Sequence, residues 1–339
     1  MSRIVIWGAG AIGGVLGAWM ARAGLDVLLV DRDAAHVRAV NERGLAISGT
    51  RGPFEVRVPA ALPEDVEGPL DTVVLAVKCQ ATADAVEQIR PLLAPEGVVV
   101  SAQNGLNEEV IADRIGTERT IGCFVNFSAD WQGPGHVEHG GEHPIYVGEL
   151  DGRETERVRG VADVFGRFCE TIVTGNIWGY LWSKLCYASL LFATATVDAP
   201  VYEILRRPGV GPTMHALVAE AITVPERLGL RLEDLHGFRP DAYRGDGWEA
   251  SMEAIASFYE GQIKVKTGVW RDLAVRHRPT EVDCQVGTLV AKGAGVGLPM
   301  PLNRRLVEVM HDLEAGRRTM GWANLEELSA AAADAEARS

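Results

Sequence analysis

The sequence predicts an α/β protein in which a doubly wound parallel sheet is followed by a second, mostly helical domain. Three observations carry that reading. The first half alternates short apolar strands with amphipathic helices, and its opening strand breaks into a glycine-rich turn that starts a helix. From about Asn176 onward, long helical patterns replace the strand signals. With 339 residues the chain is long for one core, and 47% apolar content supplies enough material for two. The divisions fall at 1–172 for the sheet domain, 173–329 for the helical domain, and 330–339 for a frayed Ala/Asp/Glu tail.

The opening run Arg3-Ile-Val-Ile-Trp-Gly8-Ala-Gly10-Ala-Ile-Gly13 reads as strand, turn and helix start. Gly8 permits the tight turn, Gly10 lets a pyrophosphate approach the backbone, and Gly13 lets the helix lie close to the sheet. The residues from Gly8 through Ala9, Gly10, Ala11 and Ile12 to Gly13 therefore form a candidate phosphate cradle at a helix N-terminus. A helix pattern from Val15 to Ala23 ends at Gly24, and a second strand stops at Asp31. That acid, eighteen residues after Gly13, is placed to accept hydrogen bonds from an adenosine ribose. A helix then runs to Gly44, and Leu45–Ser48 with Phe54–Val58 reads as a small hairpin. Asp71–Lys78 is a buried strand with a charged end, Thr82–Leu93 a helix, and Gly97–Ser101 another buried strand leading into Ala102-Gln103-Asn104-Gly105. Open α/β sheets bind ligands beyond the carboxyl ends of their strands, so Lys78, Gln103 and Asn104 share an edge with the glycine turn. In the second half, Leu181–Val197, Gly211–Leu228, Trp248–Lys266, Thr280–Gly293 and Asn303–Ala315 read as helices.

A net charge of −13 argues against nucleic acid and anionic membrane as partners. No apolar run is long enough to span a bilayer, and no secretory leader is evident, which points to the cytoplasm. Five scattered cysteines, Cys79, Cys123, Cys169, Cys186 and Cys284, form no CxxC pair and read as reduced thiols. His136, His139 and His143 lie within a glycine-rich stretch that suits a loop or hairpin better than a preformed metal site, and no metal is expected.

Two polar groups in the second half carry candidate chemistry. Lys184, in Trp182-Ser-Lys184-Leu-Cys-Tyr187, lies within an apolar helix. Either desolvation lowers its pKa into the range of a proton donor, or it snorkels to the surface from a helix edge. Glu281, in Arg278-Pro-Thr280-Glu281-Val-Asp283, belongs to a helix start that Thr280 would cap.

The glycine turn, Lys78, Gln103-Asn104-Gly105, Trp182-x-Lys184-Leu and Arg278-Pro-Thr-Glu281-Val-Asp283 occur in the order found in ketopantoate reductases (2-dehydropantoate 2-reductases), which the chain resembles over roughly residues 1 to 315. The resemblance implies an N-terminal Rossmann domain, a C-terminal domain of the 6-phosphogluconate dehydrogenase type, and hydride transfer from NAD(P)H to the ketone of a small-molecule 2-oxo acid. It also implies that Lys184 is the general acid, that Glu281 hydrogen-bonds the substrate hydroxyl, that Asn104 lies beside the nicotinamide, and that Lys78 reaches the cofactor.

The chain departs from the family pattern in three places. Ala188 and Phe192 stand where the family usually has asparagines, which points toward a substrate with a bulkier or less polar tail. A serine-serine-methionine stretch before the Glu281 motif is replaced by Thr267-Gly-Val-Trp270-Arg-Asp272. The second strand ends in Asp31-Arg32-Asp33, where Asp31 suits the ribose diol of NADH and Arg32 suits the extra phosphate of NADPH, the family's habitual cofactor. Two alternatives remain open, an opine-type dehydrogenase acting on an oxo acid/amino acid imine and a non-catalytic NAD(P)H sensor. The segment Glu314–Trp322 could either cover the second domain or form a homodimer contact.

Overall fold

Runs of Val, Ile and Leu with no polar alternation belong to strands covered on both faces, as parallel strands are. The computed structural model, which describes residues 3–336 apart from residues 236 and 263, builds its first unit on such runs. The chain divides into two units, Met1–Ile177 and Trp178–Ser339.

The first unit contains strands β1 (Ile4–Trp7), β2 (Val27–Val30), β3 (Leu45–Gly49), β4 (Phe54–Val56), β5 (Ala60–Ala61) and β6 (Leu70–Leu75). These are followed by β7 (Leu93–Ser101), β8 (Thr120–Phe124), β9 (Phe127–Gly133), β10 (His136–Glu142), β11 (Ile145–Glu149) and β12 (Thr171–Val173). Helices α1 (Ala11–Arg22), α2 (Ala34–Arg43), α3 (Thr82–Ile89), α4 (Asn107–Ile115) and α5 (Glu156–Phe165) connect them. Eight strands form one sheet in the order β12-β11-β8-β7-β6-β1-β2-β5, in which only the β11–β8 pair is antiparallel. Ile4 pairs with Val27 on one side and Thr72 on the other, so β1 is central and both its neighbours run parallel to it.

A second sheet, in the order β4-β3-β10-β9, packs on α1. The hairpin β3–β4 was legible in the sequence, and the histidine-rich stretch supplies its partner β10. His136 and His139 are three apart on a strand and so point to opposite faces. His136 meets the Ser48 hydroxyl at 2.9 Å, whereas His139 is buried beside Phe168, Phe127 and Trp19. Among the described residues no group of His, Cys, Asp and Glu is placed to hold a metal ion.

The second unit is helical: α6 (Ile177–Thr194), α7 (Val201–Leu205), α8 (Val210–Arg227), α9 (Trp248–Glu260), α10 (Gly268–Ala274), α11 (Thr288–Gly295), α12 (Pro301–Glu314) and α13 (Trp322–Glu336). Glu220 of α8 accepts from the backbone amides of Leu302 and Asn303 (3.0 and 2.8 Å), capping α12 from a neighbouring helix. Asn324 of α13 donates to Thr196 O just beyond α6 (2.9 Å). Of the expected frayed end, residues 330–336 are helix, in keeping with the helix-favouring alanine run from Ala330 to Ala333, and residues 337–339 lie outside the described residues. The reduced-thiol reading holds for Cys123, Cys169 and Cys186, which are buried and form no disulfide. It fails for Cys79 and Cys284, which are not free thiols. Among the described residues no helix is long and apolar enough to cross a membrane.

Candidate active site

On the first unit, β7, β6, β1 and β2 are consecutive parallel neighbours, so their carboxyl ends share one edge. The sequence-nominated residues follow those ends in turn: Gln103 and Asn104 after β7, Lys78 after β6, Gly8–Gly13 after β1, and Asp31 and Arg32 after β2. Gly8 has φ +101°, and a Cβ there would lie 2.7 Å from Val77 N. Only glycine accommodates both the conformation and the approach. A Cβ on Gly13 would lie 2.0 Å from Gly8 O, so the first turn of α1 is pressed onto the loop that precedes it. A Cβ on Gly10, by contrast, would meet nothing within 4 Å. The first turn of α1 has no side-chain cap and no acidic residue. Open space in front of Gly10 and an uncapped helix start suit the phosphates of a dinucleotide.

Asp31 follows β2 with one carboxylate oxygen committed, since Oδ1 accepts from Asp33 N at 3.0 Å. Asp33 in turn caps α2, accepting from Ala35 N and His36 N at 2.9 and 3.2 Å. The turn therefore fixes Asp31 while Arg32 stands exposed.

Behind the Ala102–Leu106 loop lie Thr82, Asn107 and Glu108, which sequence reasoning did not single out as site residues. Gln103 Nε2 donates to Val77 O and Thr82 Oγ1, both at 2.8 Å. Thr82 Oγ1 donates to Asn107 Oδ1 at 2.8 Å, and Asn107 Nδ2 donates to Asn104 O at 2.7 Å. Glu108 is fully buried in the first turn of α4. Burial is the main cause that pushes its pKa from 4.5 to about 8, with the charge of Glu109 adding to the rise. The Ser101 hydroxyl and the backbone amides of Glu108 and Cys123 pull the other way, though neither carboxyl oxygen makes a hydrogen bond of standard geometry. In the sequence, Thr82, Asn107 and Glu108 look like ordinary helix-start residues. Their partners are as many as 25 residues away, so only the fold reveals them.

On the second unit, Lys184 is half-buried in α6. Its helix neighbours Ser183, Leu185, Cys186 and Ala188 are buried, as is Phe192. The Ser183 hydroxyl accepts from Glu233 N at 2.9 Å, fixing the segment opposite this turn of α6. Glu281 is buried and lies just before a π-helical turn, Asp283–Gly287, a distortion often found at functional sites. Thr280 anchors it, donating through its backbone N and its hydroxyl to Glu314 Oε1 at 2.8 and 2.6 Å. The same hydroxyl accepts from Val282 N at 3.2 Å, so Thr280 caps a turn as its residue type suggested, although the α-helix itself starts at Thr288. Trp270 is engaged elsewhere, with its indole N–H on Asp198 at 2.9 Å and Lys266 Nζ 3.9 Å from its ring centroid.

Family models describing ketopantoate reductase PanE/ApbA and its C-terminal region match residues 4–152 and 176–314. The 2-dehydropantoate 2-reductase of Pyrococcus abyssi is 30% identical over 315 residues, spanning 92% of this chain and 98% of its own length. The chain belongs to the ketopantoate reductase family. It is an oxidoreductase acting on a CH–OH/C=O pair, as ketopantoate reductases are. The family member from Archaeoglobus fulgidus, also a 2-dehydropantoate 2-reductase, is 29% identical, covering 93% of this chain and 99% of its own. Among solved structures, the 2-dehydropantoate 2-reductase of Geobacter metallireducens superposes with a TM-score of 0.81 at 29% identity, covering 92% of this chain and 99% of that one.

Proposed function

We propose that the protein reduces a small 2-oxo acid of the 2-dehydropantoate type to the 2-hydroxy acid. The phosphates of NAD(P)H would lie on Gly8–Gly13, with Lys78, Gln103 and Asn104 on the same sheet edge toward the nicotinamide. The bound nicotinamide supplies the hydride. Lys184 stabilises the alkoxide that forms on the ketone oxygen and then protonates it. Glu281 hydrogen-bonds the resulting hydroxyl and fixes its orientation.

The observation that carries this reading is a lysine held half-buried among buried neighbours in α6, in a chain that also anchors a buried Glu281 through Thr280 and Glu314. A protein that only senses NAD(P)H needs neither group. Asp31, fixed by its turn with one oxygen left to accept, favours the ribose diol of NADH. Family habit and the exposed Arg32 favour NADPH. Ala188 and Phe192 offer no polar atom to a substrate hydroxyl, which favours oxo acids with less polar tails over ketopantoate itself.

Loss of absorbance at 340 nm with ketopantoate and a panel of bulkier 2-oxo acids, with NADH and NADPH in parallel, tests the proposal. Turnover with at least one acid that Lys184→Ala lowers by three orders of magnitude or more supports it. Full turnover in Lys184→Ala removes the general acid, and turnover that requires an added amino acid transfers the protein to imine reduction.

A further inference from the structure

The side chain of Gln103 is spent inside the protein. Its two amide hydrogens go to Val77 O and Thr82 Oγ1, and its Oε1 is buried without a partner. The donors and acceptors then follow in one direction only. Val77 O can only accept, so Gln103 must present its NH₂. Thr82, having accepted from it, donates to Asn107 Oδ1, which leaves the Asn107 NH₂ facing Asn104 O. Thr82, Gln103 and Asn107 are each at most 5% exposed, so water does not compete for any link. The chain begins at the residue preceding Lys78 and ends on the backbone of Asn104. It therefore ties together two segments that follow different strands, β6 and β7.

We propose that Gln103, Thr82 and Asn107 are positioning residues that hold the Lys78 and Asn104 segments in fixed register for the nicotinamide end of the cofactor. This rests on the reading of Asn104 given above, and it moves Gln103 from touching the dinucleotide to bracing the loop that does. Three neutral side chains form a continuous path, so removing the Thr82 hydroxyl leaves a donor on Gln103 and an acceptor on Asn107 unpaired in a sealed space. The loop must then shift to recover those bonds, and Asn104 shifts with it.

Thr82 is the link to cut, because it is buried and is not among the residues proposed to touch the cofactor. Thr82→Val keeps its shape and deletes the hydroxyl, whereas Thr82→Ser keeps the hydroxyl. Binding is measured by fluorescence titration with the preferred reduced dinucleotide and with its ADP-ribose portion, which has no nicotinamide. Thr82→Val is expected to weaken dinucleotide binding about tenfold and leave the ADP-ribose portion within about twofold of wild type, with Thr82→Ser close to wild type for both. Equal weakening of both ligands would show a general loss of structure and overturn the positioning role. Asn104→Ala is the reference. If it leaves dinucleotide binding unchanged, the reading of Asn104 fails and takes this proposal with it. If it weakens binding while Thr82→Val does not, the positioning role alone fails.

Discussion

Replacing Glu108 by Gln should flatten part of the pH dependence of stability, and the size of the effect follows from its burial. A carboxyl whose folded pKa is raised supports the fold fully below its unfolded value, and that support is lost as pH rises through the folded value. For Glu108 the window runs from 4.5 to about 8. At about 1.36 kcal/mol per pH unit across that window, the wild type loses about 3 kcal/mol through this residue between pH 5.5 and 8.5. Glu108→Gln has nearly the same shape and does not titrate, so the stability of the variant relative to wild type should rise by that amount over the same range. Thermal unfolding followed by circular dichroism at four pH values measures the gap while cancelling every other titration. At about 2–4 °C per kcal/mol for a unit of this size, the gap in Tm should widen by about 6–12 °C toward alkaline pH. A gap that stays constant within about 1 °C would refute the reasoning, since it would mean that Glu108 is already ionised in the fold or is open to solvent.

Two further contrasts test the cradle and the small sheet. Gly13→Ala drives a Cβ to 2.0 Å from Gly8 O, whereas Gly10→Ala adds one into open space. Both should weaken dinucleotide binding about tenfold or more, but only Gly13→Ala should lower Tm, by the equivalent of about 1–3 kcal/mol of overpacking. Equal Tm losses in calorimetry would contradict the geometry. Burial, aided by Arg51 and opposed by Glu142, holds the His139 pKa below 6.5. A base depressed in this way costs stability as pH falls below its unfolded value. His139→Phe should therefore lose less Tm than wild type between pH 7 and pH 5, and parallel losses would count against a buried neutral imidazole.

Much of this was legible in the sequence for local reasons. The glycine turn, the strand ending at Asp31 and the strand leading to Gln103 each announce themselves within a few residues, and parallel pairing then brings their ends to one edge. The small sheet was half hidden. Its β3–β4 hairpin has alternating apolar residues, but β10 carries Gly140, Gly141 and three nearby histidines; a local hairpin with β9 was readable there, whereas the pairing with β3 across about ninety residues was not. β5, at two residues, is too short to carry a period. Thr280 was readable as a cap, but the π-helical turn that follows it was not, because its extra residue depends on packing against α12. The Gln103–Thr82–Asn107 chain was invisible for the same reason, since hydrogen bonding between distant side chains leaves no periodic trace.

Helix α1 is held from two sides. A Cβ on Gly17 would strike Leu29 of the large sheet at 2.4 Å, and one on Gly14 would strike Val137 of the small sheet at 2.9 Å. A helix wedged between two layers cannot drift, so its N-terminal end is a fixed datum for everything built around it. The Asp31-Arg32-Asp33 turn lies at the rim and is partly open to solvent, with its own bonds closed locally. On the proposed reading, the molecule keeps the phosphate cradle in its least adjustable place and the turn that would separate one dinucleotide from another in its most adjustable. If that reading holds, a change of coenzyme would be a matter of rewriting three residues at the rim on an unaltered chassis.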